Sequence, residues 1–303
     1  MSSASSESYT FLKEAGIPAE EQIDAENIQN IREAIRSGFQ DRIQRIKKNH
    51  QPTIKYSIID GVECLHIVPE ESSAKSRLVY CYGGGFITGS PEEDLLVTAP
   101  LASLLDMEII SPRYRLAPEH PYPHAIEDCL TVYKHVAAQT DIGAVSLMGE
   151  SAGGNAALAI LQIIKEESID LPASLTLLSP WCDLQHTGES HKTNDGRDPT
   201  IRMSFVQQAA NLYAPAQDRS QHQISPINCD FQKPFPPTLI TSGSRDLLLS
   251  QSLMLHRKLL DADIQAELNV WENMWHVFEF YDELPESASS LNRIARFIRR
   301  QYP

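Results

Sequence analysis

The sequence predicts an α/β protein built on a mainly parallel, eight-stranded sheet flanked by helices. Short apolar strand patterns alternate with helical patterns through most of the 303 residues, which is the chain order of a parallel sheet. A small-residue turn at 149–153 also stands between a strand pattern at 144–148 and a helix pattern at 155–165. Such strand-to-helix turns lie at the edge of a sheet where functional groups gather.

Composition narrows the classes of function. Apolar residues make up 42% of the chain, the net charge is −14 and the pI is near 5.1. The chain has no long basic cluster, which argues against nucleic-acid and anionic-membrane partners. Residues 1–7 lack the charge and apolar run of a signal peptide, and no apolar run is long enough to span a bilayer. We therefore expect a cytoplasmic protein without stable membrane insertion.

Cysteine and histidine spacing predicts no metal site. The five cysteines are odd in number and form no C-x-x-C pair, so we expect reduced, mostly buried thiols. His120 and His124 stand in a proline-rich stretch without a cysteine or carboxylate cluster to complete a site. We expect structural roles for both.

Residues 1–50 predict a helical segment ahead of the sheet. Its apolar residues recur at three- and four-residue steps and form one stripe: Ile28, Ile31, Ile35, Phe39, Ile43 and Ile46. Ser37-Gly38 is a point where this run could divide into two helices. An ordinary packing helix and a lid over a site both fit the pattern. Strand patterns on either side of Asp60-Gly61 then predict a β-hairpin.

A second irregular region interrupts the sheet pattern at about 185–235. Residues 185–197 are polar and predict a loop, and helical spacing resumes from Ile201 to Tyr213. Because strands and helices alternate on both sides of this region, it predicts an inserted cap.

Ser151 is the candidate nucleophile. A G-x-S-x-G turn between strand and helix holds its central serine in a strained conformation and presents the hydroxyl above the sheet. The backbone N–H of Ala152 begins the helix, where it has no intrahelical acceptor and can receive an oxyanion. A glycine-rich turn with an idle serine is the alternative, and the flanking strand and helix favour the catalytic interpretation.

Three glycines supply the second half of a predicted oxyanion site. Gly83-Gly84-Gly85 follows an early strand and leaves backbone N–H groups accessible. A second oxyanion donor is expected from such a loop, well before the serine. We predict that Gly84, Gly85 and Ala152 donate to the oxyanion. A flexible hairpin loop is the alternative.

Asp246 and His276 complete a candidate triad. Each follows a predicted strand, after Ser151, in the chain order Ser, Asp, His. His256 is a weaker base because it lies inside a helical pattern, and Glu272 is too near His276 in sequence to hold it from the opposite side. A helix cap and a surface turn would account for Asp246 and His276 separately, but one mechanism accounts for all three positions.

Together these motifs resemble the hormone-sensitive-lipase family of α/β-hydrolases, the bacterial carboxylesterase and lipase group. The resemblance covers roughly 50–300 and rests on the stretches 83–86, 114–121, 149–155, 179–181 and 274–278. It implies an α/β-hydrolase catalytic domain at 51–303 with a helical cap, and hydrolysis of short- to medium-chain acyl esters without a cofactor. It also implies a substrate pocket that includes Phe86, Glu150, Trp181 and Trp275, and homodimers through the eighth strand and last helix.

Three positions depart from the family pattern. Tyr82 replaces the histidine that normally opens the glycine loop, Glu150 replaces the aspartate before the serine, and Leu247 replaces the proline after the acid. None removes a triad member. A non-catalytic small-molecule binder on the same fold is the alternative function, and an amidase is compatible with the same triad.

Overall fold

An eight-stranded sheet forms the centre of the computed structural model, which describes residues 4–20, 22–69, 75–141 and 143–302. The spatial order of the strands is β1-β2-β4-β3-β5-β6-β7-β8. Their bounds are β1 Thr53–Ile59, β2 Val62–Val68, β3 Arg77–Cys81, β4 Glu108–Pro112, β5 Val145–Glu150, β6 Leu175–Leu178, β7 Thr238–Gly243 and β8 Ala266–Trp271.

The first two strands are antiparallel and the others are parallel. β1 pairs with β2 around the turn at Asp60-Gly61, and β2 runs antiparallel to β4. From β4 through β3, β5, β6 and β7 to β8, every neighbouring pair is parallel. The predicted hairpin and mainly parallel sheet are confirmed. Parallel strands end at one edge, so the turns after β5, β7 and β8 lie together.

Helices flank the sheet and connect its strands. Their bounds are α1 Ser6–Ala15, α2 Ile28–His50, α3 Leu95–Leu105, α4 His124–Ala138, α5 Ala152–Glu166, α6 Ser190–Thr193, α7 Met203–Tyr213, α8 Leu249–Asp261 and α9 Pro285–Arg299. α4 packs against α5, and α3 packs against α9. The central strands are buried along their whole length, as expected for strands covered by helices on both faces.

The long N-terminal helix α2 is continuous. The expected division at Ser37-Gly38 is wrong, because the helix passes through Gly38 without a break. A glycine inside a helix costs only about 1 kcal/mol, and packing on both sides of it offsets that cost. Ile28, Ile43 and Ile46 are buried, and α2 packs against α3.

The cap insertion contains more structure than its sequence predicts. A short helix, α6, lies within the stretch 185–197 that was expected to be a loop, and α7 begins at Met203 and not at Ile201. α6 packs against α8, so the cap is attached to the sheet domain beside the turn after β7.

Gly153 lets α5 come into direct contact with β3. A side-chain Cβ at this position would collide with the carbonyl oxygens of Cys81 and Tyr82. In contrast, a Cβ on Gly38 in α2 would meet no atom within 4 Å. A side chain is therefore excluded at Gly153, whereas Gly38 has room for one.

Gly153→Ala should destabilise the protein by about 1–3 kcal/mol, because backbone atoms must move to admit the methyl group. The matched change Gly38→Ala should stabilise it by about 0.5–1 kcal/mol, since alanine favours the helix and finds open space. Chemical denaturation measures both free energies of unfolding. Equal effects of the two changes would contradict the close approach at Gly153.

Candidate active site

The turn after β5 holds Ser151 in a strained backbone conformation. Its φ is 51° and its ψ is −118°, a region that non-glycine residues adopt only when their surroundings enforce it. The Ser151 N–H donates to the Leu178 carbonyl at 2.9 Å, which fixes the turn to β6. A Cβ on Gly149 would collide with the backbone of Gly153. The tight turn and its glycines thus place the hydroxyl at the edge of the sheet.

Ser151, His276 and Asp246 form a continuous hydrogen-bonded chain. Ser151 Oγ lies 3.0 Å from His276 Nε2, and His276 Nδ1 lies 3.1 Å from Asp246 Oδ1. Asp246 is fully buried, and His276 and Ser151 keep only 7% and 9% of their surface exposed. A serine hydroxyl, a base and an orienting acid are therefore within direct reach of one another.

The surroundings of Asp246 and His276 favour an ion pair. Burial alone would raise the pKa of Asp246, but His276 and hydrogen bonds from Ser179 and the Leu248 N–H lower this pKa below the ordinary value. Burial alone would lower the pKa of His276, but Asp246 and then Asp198 raise it. The site therefore stabilises a charged carboxylate beside a cationic imidazole.

Two glycines of the loop and the residue after Ser151 carry backbone N–H groups without an intramolecular acceptor among the described residues. Those of Gly84, Gly85 and Ala152 donate to no acceptor within the described stretches of the chain. Gly84 and Gly85 have φ values of 92° and 64°, and a Cβ on Gly84 would collide with the Thr88 carbonyl. These glycines are needed for the shape of the loop, and both line the large cavity together with Ser151.

Tyr82 and Tyr114 support the glycine loop from below. Their rings stack with centroids 4.0 Å apart. Tyr82 Oη donates to the Tyr114 carbonyl at 3.1 Å, and Tyr114 Oη donates to the carbonyls of Tyr82 and Gly83 at 2.7 and 3.1 Å. Burial raises the pKa of both phenols well above the ordinary value. They act as hydrogen-bond donors there and not as acids or bases.

Glu150 is a buried carboxyl group beside the glycine loop. Burial, and then the nearby Asp94 carboxyl, raise the pKa of Glu150 well above its ordinary value, while a hydrogen bond from the Gly83 backbone opposes this shift. A Cβ on Gly83 would collide with the Glu150 carboxyl group. Glu150 therefore packs directly against the first residue of the loop.

The serine faces two cavities of very different size. An open, mainly apolar cavity of about 440 Å³ lies between the N-terminal segment and the cap. A second cavity of about 20 Å³ is lined by Trp181, Val206, Ala209 and Leu248. Both reach Ser151 and His276. Phe205 also lines both cavities.

The four residues expected in the substrate pocket lie in different places. Glu150 lines the large cavity and Trp181 the small one. Phe86 and Trp275 line neither cavity: both are fully buried, with Phe86 stacked on Tyr213 and Trp275 stacked on Phe11.

Sequence reasoning missed several residues at the site. Ile31, Ile35 and Phe39 of α2 line the large cavity, and their helical spacing was the signal that α2 covers something. Phe205 and Asp198 belong to the cap insertion, where the pattern gives no indication of contacts with the triad. Asp198 accepts hydrogen bonds from the backbone N–H groups of Leu247 and His276, which lie in the turns that carry Asp246 and His276.

The remaining titratable groups fit structural roles. All five cysteines are buried and unpaired. Within the described ranges, no group of three histidine, cysteine or acidic side chains gathers as a metal site. None of the helices described is long and apolar enough to cross a bilayer.

A nucleophile elbow, a hydrogen-bonded Ser-His-Asp chain and open N–H donors above a mainly parallel sheet define the class of α/β-hydrolases. The Abhydrolase_3 family, of the alpha/beta hydrolase fold, matches residues 78–280, and the chain belongs to this family. It is 31% identical over 224 residues to an acetyl-hydrolase of Streptomyces hygroscopicus, covering 73% of this chain and 75% of that protein.

Two solved structures superpose on nearly the whole length of this chain. The esterase E25 superposes with a TM-score of 0.92 at 28% identity, covering 99% of this chain and 95% of that one. A hormone-sensitive lipase from a metagenome library superposes with a TM-score of 0.89 at 29% identity, covering 97% and 98% of the two chains. The protein thus shares its fold over nearly its whole length with solved esterases and with a solved hormone-sensitive lipase.

Tyr114→Phe should lower kcat more than Tyr82→Phe does. Each change removes one buried hydroxyl, but only that of Tyr114 bonds a carbonyl of the glycine loop itself. Each should destabilise the fold by about 1–3 kcal/mol, because a carbonyl loses its partner. Steady-state kinetics with a short-chain ester, alongside thermal melting, measures both effects. A Tyr82→Phe variant that folds but has no activity would assign the phenol a chemical role.

Proposed function

We propose that the protein is a serine carboxylic-ester hydrolase that acts on short-chain acyl esters through an acyl-enzyme. The observation that carries this proposal is the chain of contacts from Ser151 Oγ to His276 Nε2 and from His276 Nδ1 to Asp246 Oδ1, at 3.0 and 3.1 Å. Unpaired backbone N–H groups of Gly84 and Gly85, which line the same cavity as Ser151, support it.

In the acylation half-reaction, Ser151 Oγ attacks the ester carbonyl while its proton passes to His276 Nε2. The carbonyl oxygen becomes an oxyanion held by the N–H groups of Gly84, Gly85 and Ala152. One such donor contributes about 10²–10³ in turnover. The tetrahedral intermediate then collapses, the bond to the alcohol oxygen breaks, and the imidazolium returns the proton to that oxygen.

In the deacylation half-reaction, a water molecule takes the place of the departed alcohol. His276 removes a proton from the water as it attacks the acyl carbon, and the oxyanion forms again at the same donors. Collapse breaks the bond to Ser151 Oγ, which recovers the proton from His276. Asp246 keeps the imidazole oriented and stabilises its cationic form in both halves.

The order of product release assigns the two cavities. The alcohol must leave while the acyl group is still attached to Ser151, so it needs room to move away from the serine. The large cavity, of about 440 Å³, offers that room, whereas the small one, of about 20 Å³, does not. We therefore assign the acyl group to the small cavity and the alcohol to the large, apolar one.

The small cavity favours acetyl and other very short acyl groups. A volume of about 20 Å³ is only slightly more than the space that one water molecule requires, about 10–15 Å³. The acetyl-hydrolase relative is consistent with this preference. The large cavity is lined by Ile31, Ile35 and Phe39 and suits the hydrocarbon part of an alcohol.

Ser151→Ala should abolish hydrolysis of a chromogenic acetate ester and leave the melting temperature close to that of the wild type. His276→Ala should be similarly inactive, with losses of several orders of magnitude that do not add in the double variant. His256→Ala, a change of a histidine in α8, is the control and should retain activity. Substantial turnover by Ser151→Ala would exclude this mechanism and assign the reaction to another nucleophile, whereas a wild type without turnover would favour the non-catalytic binder.

Phe205→Ala should shift the acyl preference toward longer chains, because it removes a large side chain that lines the small cavity. We expect the ratio of kcat/KM for hexanoate to that for acetate to rise by about 10–200-fold, the range for filling or vacating one apolar site. Phe39→Ala, which changes the alcohol side, is the matched control and should leave this ratio unchanged. An unchanged ratio in Phe205→Ala would reject the assignment of the small cavity to the acyl group.

A further inference from the structure

Asp198 is a fully buried carboxylate in the cap insertion, on the stretch between α6 and α7. It is not a member of the triad, yet its side chain accepts five hydrogen bonds. A buried charge is costly unless it is fully paired or hydrogen-bonded. The groups that donate these hydrogen bonds indicate the role of the carboxylate.

One oxygen of Asp198 organises its own loop. Oδ1 accepts from the Thr200 N–H at 2.9 Å, the Thr200 hydroxyl at 2.7 Å and the Ile201 N–H at 3.3 Å. Thr200 and Ile201 line the large cavity, and Ile201 also lines the small one. This half of the carboxylate therefore shapes the cap wall that the substrate would contact.

The other oxygen reaches the two turns that carry the triad. Oδ2 accepts from the Leu247 N–H and from the His276 N–H, both at 3.1 Å. Leu247 follows Asp246 directly, and the second N–H belongs to the triad histidine itself. We propose that Asp198 is a positioning residue that holds the acid turn and the histidine turn in register with each other and with the cap.

Neighbouring cap residues support this attachment, but they bind the acid turn alone. Asn194 Nδ2 donates to the Asp246 carbonyl at 2.9 Å, and Ser190 Oγ donates to the Leu247 carbonyl at 2.7 Å. Among these three cap side chains, Asp198 is the one that also bonds the histidine turn. Its loss would therefore release His276 from the cap while Asn194 and Ser190 still held the acid turn.

The five donors require a carboxylate and not an amide. Each of the two oxygens already receives at least two N–H or O–H groups. Asparagine would place an NH₂ group against at least two of these donors. Only its single carbonyl oxygen could still accept hydrogen bonds. Asp198→Asn therefore removes the connection while it preserves the size of the side chain.

The charge of Asp198 also acts on the base. Several titratable or charged groups lie around His276 and Asp198: Asp246, Glu279, Arg245, Tyr281 and His191. Asp246 is the strongest influence that raises the pKa of His276, and Asp198 raises it further. Loss of the Asp198 charge should therefore lower the pKa of His276. Because the base must be neutral, the acidic limb of kcat/KM should move to lower pH.

Asp183 provides a matched control immediately before the cap insertion. It is also buried, and it accepts from the Gln185 N–H, the Thr187 N–H and the Thr187 hydroxyl at 2.8, 2.9 and 2.6 Å. It thus organises its own turn as Asp198 does, but its carboxylate has no bond to the turns of the triad. Asp183→Asn tests the effect of losing a buried, turn-forming carboxylate as such.

The experiment compares kcat, KM and pH profiles of the wild type, Asp198→Asn and Asp183→Asn with a short-chain acetate ester. Asp198→Asn should lower kcat by about 10²-fold, the cost of a small misplacement of catalytic groups, with a smaller change in KM. Its acidic limb should shift to lower pH, and Asp183→Asn should show neither effect. Wild-type kinetics in Asp198→Asn, or equal losses in both variants with unshifted limbs, would overturn the proposal.

Two further measurements cover the remaining outcomes. If Asp198→Asn does not fold, hydrogen exchange in the wild type decides: protected amides at Leu247 and His276 support the bonds, and rapid exchange refutes them. The inference rests on the triad proposed above, so Ser151→Ala is assayed in parallel. Activity in that variant rejects the triad, whereas an inactive Ser151→Ala with an unaffected Asp198→Asn rejects only the role of Asp198.

Discussion

The contact between Gly153 and the end of β3 is the constraint on which the site depends. Because no side chain intervenes, the first turn of α5 lies directly on the carbonyls of Cys81 and Tyr82. The glycine loop begins one residue later, so this contact places the loop beside the first turn of α5. The serine and the glycine loop come from separate elements, and this backbone contact determines the distance between them.

The departures from the family pattern are accommodated around this contact. Tyr82, in place of histidine, donates its hydroxyl to Tyr114, and Tyr114 in turn donates to the loop. The two tyrosines, bonded to each other, thus support the glycine loop as a single imidazole could. Neither phenol titrates near neutral pH. Glu150 fills the space under Gly83, where its extra methylene brings the carboxyl group against the loop.

The sequence predicted the sheet and the proximity of Ser151, Asp246 and His276, because both follow from local rules. Parallel strands end at one edge, so polar residues just after β5, β7 and β8 had to lie together. It did not predict that α2 continues through Gly38, because tertiary packing outweighs the small helix penalty of glycine. Helix α3 gave no amphipathic signal, since it is buried nearly all round and contains Pro100.

The cap contacts could not be predicted for a different reason. The partners of Asp198 are backbone N–H groups, which every residue except proline supplies, so no pairing of side-chain types marks the contact in the sequence. These contacts also give a structural reason for leucine in place of proline at position 247. Proline at this position would have no N–H to donate, whereas the Leu247 N–H donates to Asp198 at 3.1 Å. The residue after Asp246 and the buried Asp198 carboxylate are therefore parts of one arrangement, in which this region is bonded to the turns of Asp246 and His276 and also lines the cavity.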